Sequence, residues 1–193
     1  MIILASQSPR RRELMKHITE EFLVRPTGCD EHLCCPDPVE HVRLLALRKA
    51  EAAVKEHAPG ENDAVVAADT VVFLDGRILE KPADEEDARA MLRALSGREN
   101  TVCTGVAVAF RGELRSFTRQ TKVRFYRLTE DEIEAYVRSG EPMDKAGAYA
   151  IQGLGALLVR EIEGDYFNVV GLPVAPLARL LREMGVPIKG VGQ

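Results

Sequence analysis

Three stretches of this chain gather residue types that do chemistry. The first is Ser8-Pro9-Arg10-Arg11-Arg12, directly after an apolar run at residues 2–5. A helix starting there would offer free backbone N–H groups and partial positive charge. Arginines add donors with phosphate geometry. The same residues would also serve as a solvated basic face, and the local sequence leaves both readings open. Successive helical side chains are turned by about 100°, so at most two of the three arginines can share a target. The remaining one would lie on the far side or in a salt bridge. The second stretch is Asp69-Thr70, after an apolar run at 64–67 and before a hairpin that closes with Glu80-Lys81. A carboxylate at a strand end is placed to bind a metal or activate water. It would equally satisfy local backbone donors, and Lys81 would simply be solvated. The third is residues 141–156, EPMDKAGAYAIQGLGA, with the polar entry Asp144-Lys145 and a buried-looking Gln152. Glycine lets a backbone approach a ligand closely. A Gln carries both a donor and an acceptor, which suits a base edge; a purely structural glycine-rich loop is the alternative. Neither the P-loop spacing nor the G-x-G-x-x-G fingerprint is present, which argues against a P-loop kinase and a Rossmann dehydrogenase.

These residues need a scaffold. Residues 2–5 and 21–25 read as strands, with Ser8 capping a helix over about 9–17. Residues 27–38 read as loop, broken by Pro36 and Pro38. A helix over about 39–57 carries Val42, Leu45, Ala46, Ala50 and Ala53 at helical spacing. Residues 64–67 read as a buried strand. Asp75-Gly76 turns a hairpin. Asp84 caps a helix that stops at Gly97. Residues 100–110 and 114–126 alternate as strands around Arg111-Gly112. Thr129 and Glu132 form a capping box for a helix ending at Gly140. Residues 156–163 read as a strand turned by Gly164-Asp165, and Pro173 opens a last helix that stops at Gly185. Hairpins interrupt the alternation of strand and helix, so the sheet is mixed rather than purely parallel.

The 193 residues suit one domain, or two intimately joined lobes, over 1–193. No apolar run approaches the length of a membrane span and no signal-peptide layout opens the chain, so a cytoplasmic location is the expectation. A net charge of −4 argues against stable nucleic-acid binding but not against a small basic pocket. Of the four cysteines, Cys29, Cys34 and Cys35 lie near His32 and His41. The adjacent Cys34-Cys35 pair fits zinc spacing poorly, and free thiols are the expectation.

Taken in order, LASQSPRRRELM, AADTVVFLDGRILEKP, MLRALSGREN, EPMDKAGAYAIQG and VVGLP resemble the Maf family from residue 2 to about 184. The resemblance implies an α/β fold: an elongated mixed sheet flanked by helices, with two lobes around a central cleft. It implies hydrolysis of a nucleoside triphosphate between the α and β phosphates, supported by Mg²⁺ or Mn²⁺, in a family first named for an effect on septum formation. By position, Asp69 matches the proton acceptor, and Arg10 and Arg11 of the Ser8 motif match phosphate-binding arginines. Glu31 matches the acidic residue after the second strand; Glu31 and Asp69 are the metal candidates. Lys49 and Lys81 match cleft lysines. Arg11, Thr70 and Gln152 match positions that choose the base, in the form of the branch acting on dTTP and UTP. The departures are Ala68, where Gly commonly stands, and the cysteines around Glu31. Modified pyrimidine triphosphates are alternative substrates, a nucleotide-binding division regulator without turnover is an alternative function, and a homodimer is a further implication.

Overall fold

The computed structural model describes residues 1–188; the remaining five positions of the 1–193 span expected for the domain lie outside the described residues. The element order is β1 (Ile2–Leu4), α1 (Pro9–Met15), β2 (Phe22–Val24), α2 (Pro38–His57), β3 (Ala64–Leu74), β4 (Arg77–Leu79), α3 (Glu85–Leu95), β5 (Glu99–Phe110), β6 (Glu113–Phe125), α4 (Glu130–Arg138), β7 (Val159–Glu163), α5 (Tyr166–Val170) and α6 (Val174–Glu183). Short 3₁₀ turns fill much of 141–157. The seven strands form one mixed sheet in the order β2-β1-β3-β5-β6-β7, with β4 on β3. β1 runs parallel to β2 and β3, and every other pairing is antiparallel. No helix of the described residues is long and apolar enough to cross a membrane.

β3 organises the molecule. One of its edges pairs with β5 without a break from Val65 to Phe73. The other edge is shared: β1 takes Ala64–Val66 and β4 takes Val72–Leu74. Between them β3 has no strand neighbour, and Asp69-Thr70 lies in that gap. The sequence suggests Asp69 at a strand end. The structure corrects this to mid-strand, because the β5 ladder runs straight past it.

Side chains of a strand alternate between faces. On one face Val65, Ala67 and Val71 pack against α2. On the other, Ala64, Val66 and Ala68 belong to a core with α1, α5 and α6, whereas Val72 and Leu74 belong to a second core with α3 and α4. Each face thus has an apolar run broken by one polar residue: Asp69 toward α2, and Thr70 between the two cores.

Several boundaries differ from the sequence reading for local reasons. Pro38 does not merely end a loop; it opens α2 at the first helical position, behind the Asp37 cap. β7 begins at Val159, not 156, because the Glu141 carboxylate accepts the Leu154 and Gly155 N–H groups and winds 153–157 into a turn. α5 has five residues, too few to show an apolar stripe, and is fixed by the Asp165 cap. The capping box of Thr129 and Glu132 is present in full.

Candidate functional site

The gap in the β3 edge opens into a cleft of about 760 Å³. Ser8, Arg10, Arg11, Glu31, Lys49, Asp69, Thr70, Lys81 and Gln152 all line it. The fold therefore brings together every site residue named from sequence. They come from both ends of the sheet and both of its faces.

Asp69 is buried, and Lys49 Nζ donates to its Oδ1 at 2.7 Å. The same ammonium lies 2.8 Å from Glu31 Oε2, on the loop after β2. Lys49 stands on the buried stripe of α2 with Val42, Leu45, Ala46, Ala50 and Ala53. A lysine at such a position must meet an opposite charge, because an unpaired buried charge is strongly destabilising. That position on the stripe was a signal in the sequence that helical periodicity alone could have used. Across the ladder Asp69 faces Gly105. A Cβ on Gly105 would come within 2.5 Å of the Val42 carbonyl carbon. Glycine there lets α2 lie close to the sheet, and Lys49 sits two turns further along that helix.

The arginine triplet divides by geometry. Arg11 turns inward: Nε donates to Gly171 O at 2.8 Å, Nη1 to Ala68 O at 2.9 Å, and Nη2 to Thr70 Oγ1 at 3.0 Å. It thereby satisfies a carbonyl that the gap in the ladder leaves open. Burial pulls this guanidinium below its ordinary value, and the charge of Asp69 opposes that pull. Arg10 points across the cleft, 3.7 Å from Asp144 Oδ2 at the far end of the sheet. Arg12 is exposed and lies away from the cleft lining. Ser8 caps α1, its Oγ accepting from Arg11 N at 3.4 Å.

Lys81 is exposed and has no acidic partner among the described residues. Gln152 is also exposed, so its buried look in the sequence is corrected: it sits on the glycine-rich loop, beyond the last core side chain, and faces the cleft. That loop is tied down by Glu141. Burial pushes the Glu141 carboxyl up, but N–H donors from Gly155 and Leu154, the Tyr136 hydroxyl and Lys145 outweigh it, and the net shift is downward. Ser6, Glu80, Asp144 and Lys145 line the cleft as well. Of these, the sequence reading names Glu80 as closing the hairpin and Asp144-Lys145 as the polar entry to the glycine-rich stretch, and assigns none of them to the site.

The cysteines are free thiols, and burial raises the Cys103 thiol to about 11. Among the described residues no three His, Cys, Asp or Glu side chains gather as a metal site. What the cleft offers is a set of cations, Arg10, Arg11, Lys49, Lys81 and Lys145, interleaved with the carboxylates of Glu31, Asp69, Glu80 and Asp144, an arrangement that can hold and orient a polyanion.

A family model described as "Maf-like protein" matches residues 1–184. A protein of Carboxydothermus hydrogenoformans named dTTP/UTP pyrophosphatase is 51% identical over 186 residues, covering 95% of this chain and 98% of its own length. Proteins with the same name from Halalkalibacterium halodurans and Thermococcus kodakarensis are 48% and 47% identical, with 95% and 97% of this chain covered and 96% and 98% of their own lengths.

Proposed function

The chain belongs to the Maf family, and from that premise we propose that it hydrolyses dTTP and UTP to the monophosphate and pyrophosphate. The observation that carries this is the Lys49–Asp69 pair at 2.7 Å inside a cleft ringed by Arg10, Arg11 and Lys81. Arg10 and Lys81 neutralise the phosphate chain from opposite ends of the sheet. Phosphoryl transfer asks for little beyond such positioning and charge stabilisation. Lys49 holds Oδ1 of Asp69, and Oδ2 remains to orient and deprotonate a water. That water attacks the α-phosphorus; its oxygen joins the monophosphate, and pyrophosphate leaves with the electrons of the broken P–O bond.

Glu31 and Asp69 are the residues that would hold Mg²⁺ or Mn²⁺. Two hard carboxylates suit such an ion, which takes its remaining ligands from water and substrate phosphates. The ion would supply charge neutralisation on phosphate oxygens. Arg11, Thr70 and Gln152 form the base end of the cleft.

The test is a release assay over all standard and several modified triphosphates, with Mg²⁺, Mn²⁺ or a chelator. The expected result is pyrophosphate, not phosphate, with dTTP and UTP preferred over purine triphosphates and activity lost in the chelator. Faster cleavage of purine triphosphates, or release of phosphate, would overturn the reading.

A further inference from the structure

Beneath Thr70 lies a chain of hydrogen bonds whose direction is determined. Thr104, its cross-strand neighbour on β5, is fully buried. Thr104 Oγ1 donates to Asn168 O at 3.1 Å, since a carbonyl only accepts. Its one proton is thereby used. Thr104 Oγ1 is also 2.9 Å from Thr70 Oγ1, so in that contact Thr70 must be the donor. From the other side Arg11 Nη2 donates to Thr70 Oγ1 at 3.0 Å. The Thr70 hydroxyl has now given its proton and filled one lone pair. What it retains for the cleft is the second lone pair.

The origin of the chain is rigid. Asn168 is fully buried, and its Nδ2 donates to Val102 O and Thr121 Oγ1, both at 3.0 Å. Its backbone N–H and that of Phe167 are held by the Asp165 cap. Nothing here rotates without breaking a buried bond.

We infer that Thr104 is a positioning residue that holds the Thr70 hydroxyl as a hydrogen-bond acceptor, so that Thr70 selects a base presenting an N–H to it. This rests on the reading above that Thr70 faces the base. In thymine and uracil the sole ring N–H is at N3, because N1 carries the sugar. That group is the complement of a fixed lone pair.

The experiment compares UTP with 3-deaza-UTP, in which a C–H replaces the N3–H and O4 becomes an enol hydroxyl. Because both bases are the same in every variant, the change of their ratio between wild type and variant isolates the Thr70 contact. The wild-type protein is expected to favour UTP in kcat/KM by roughly 10-fold, the worth of one hydrogen bond, and to do so through KM. Thr104→Val removes the acceptor for Thr70's proton and frees the hydroxyl to turn, so the preference should shrink. Thr104→Ser keeps the hydroxyl and should restore it. A merely structural role would lower both substrates alike and leave their ratio unchanged. An unaltered ratio in folded Thr104→Val overturns the inference. So does equal use of the two substrates by the wild type, a measurement that needs no variant to fold. If the wild type does not convert UTP to UMP and pyrophosphate at all, it is the proposed function that fails.

Discussion

At the scale of single residues, the site joins buried and exposed charges with different duties. Asp69 is buried and paired with Lys49, and in the proposed reaction its replacement acts on the chemical step. Asp69→Asn keeps the shape and removes the charge; turnover of UTP is expected to fall by roughly 10²–10³-fold with little change in KM, measured by steady-state pyrophosphate release. Near-normal turnover would remove Asp69 from the mechanism. The arginines allow a sharper comparison. Arg10 lines the cleft and Arg12 points away from it. Arg10→Ala should raise KM for UTP strongly, and Arg12→Ala should leave the kinetics near those of the parent. Equal losses in the two variants would contradict the geometry. Arg11 differs from both, because its donors already serve Gly171, Ala68 and Thr70. Its loss would disturb the sheet gap as well as the substrate.

At the scale of elements, two contacts set where the site residues stand. The first is α2 on β5. Gly105→Ala would press a methyl group into the Val42 carbonyl and lift the helix that carries Lys49. A thermal-unfolding measurement should show a loss of about 1–3 kcal/mol, the usual range for overpacking. Turnover should fall with it; a stable, fully active variant would show that the close approach is unimportant. The second contact is the Glu141 carboxylate on the turn beyond Gln152. Its folded value is depressed below the ordinary one. The stabilisation it gives is therefore present above the unfolded value, about 4.3, and is lost as pH falls through the lower folded value. The amide proton shifts of Leu154 and Gly155, followed by NMR, should titrate together with a midpoint below about 4.3. A midpoint above that value would mean the carboxylate does not hold the loop.

At the scale of the whole molecule, the cleft is the space between two cores that share one sheet. Arg10 reaches it from α1 and Lys81 from the end carrying α3 and α4. A ligand that touches both should stabilise the entire fold. A non-hydrolysable α,β-methylene UTP at a hundredfold excess over Kd should raise Tm by roughly 5–10 °C. Both Arg10→Ala and Lys81→Ala should reduce that rise at the same ligand concentration; a rise that survives either change would place the phosphate chain elsewhere. Much of this architecture is readable along the chain, because caps, turns and apolar periods are local. Ser8, Asp84 and Thr129 mark helix starts, and Asp75-Gly76 and Arg111-Gly112 mark hairpins. By order and spacing the motifs also point to a family and to nine cleft residues. What periodicity could not supply is the mid-strand place of Asp69-Thr70, the division of the arginines' partners, or the direction of the Thr70–Thr104–Asn168 chain. Those depend on which strands share an edge of β3 and on how near α2 lies to Gly105. Such contacts join residues 20 to 160 positions apart, and only closure of the whole fold decides them.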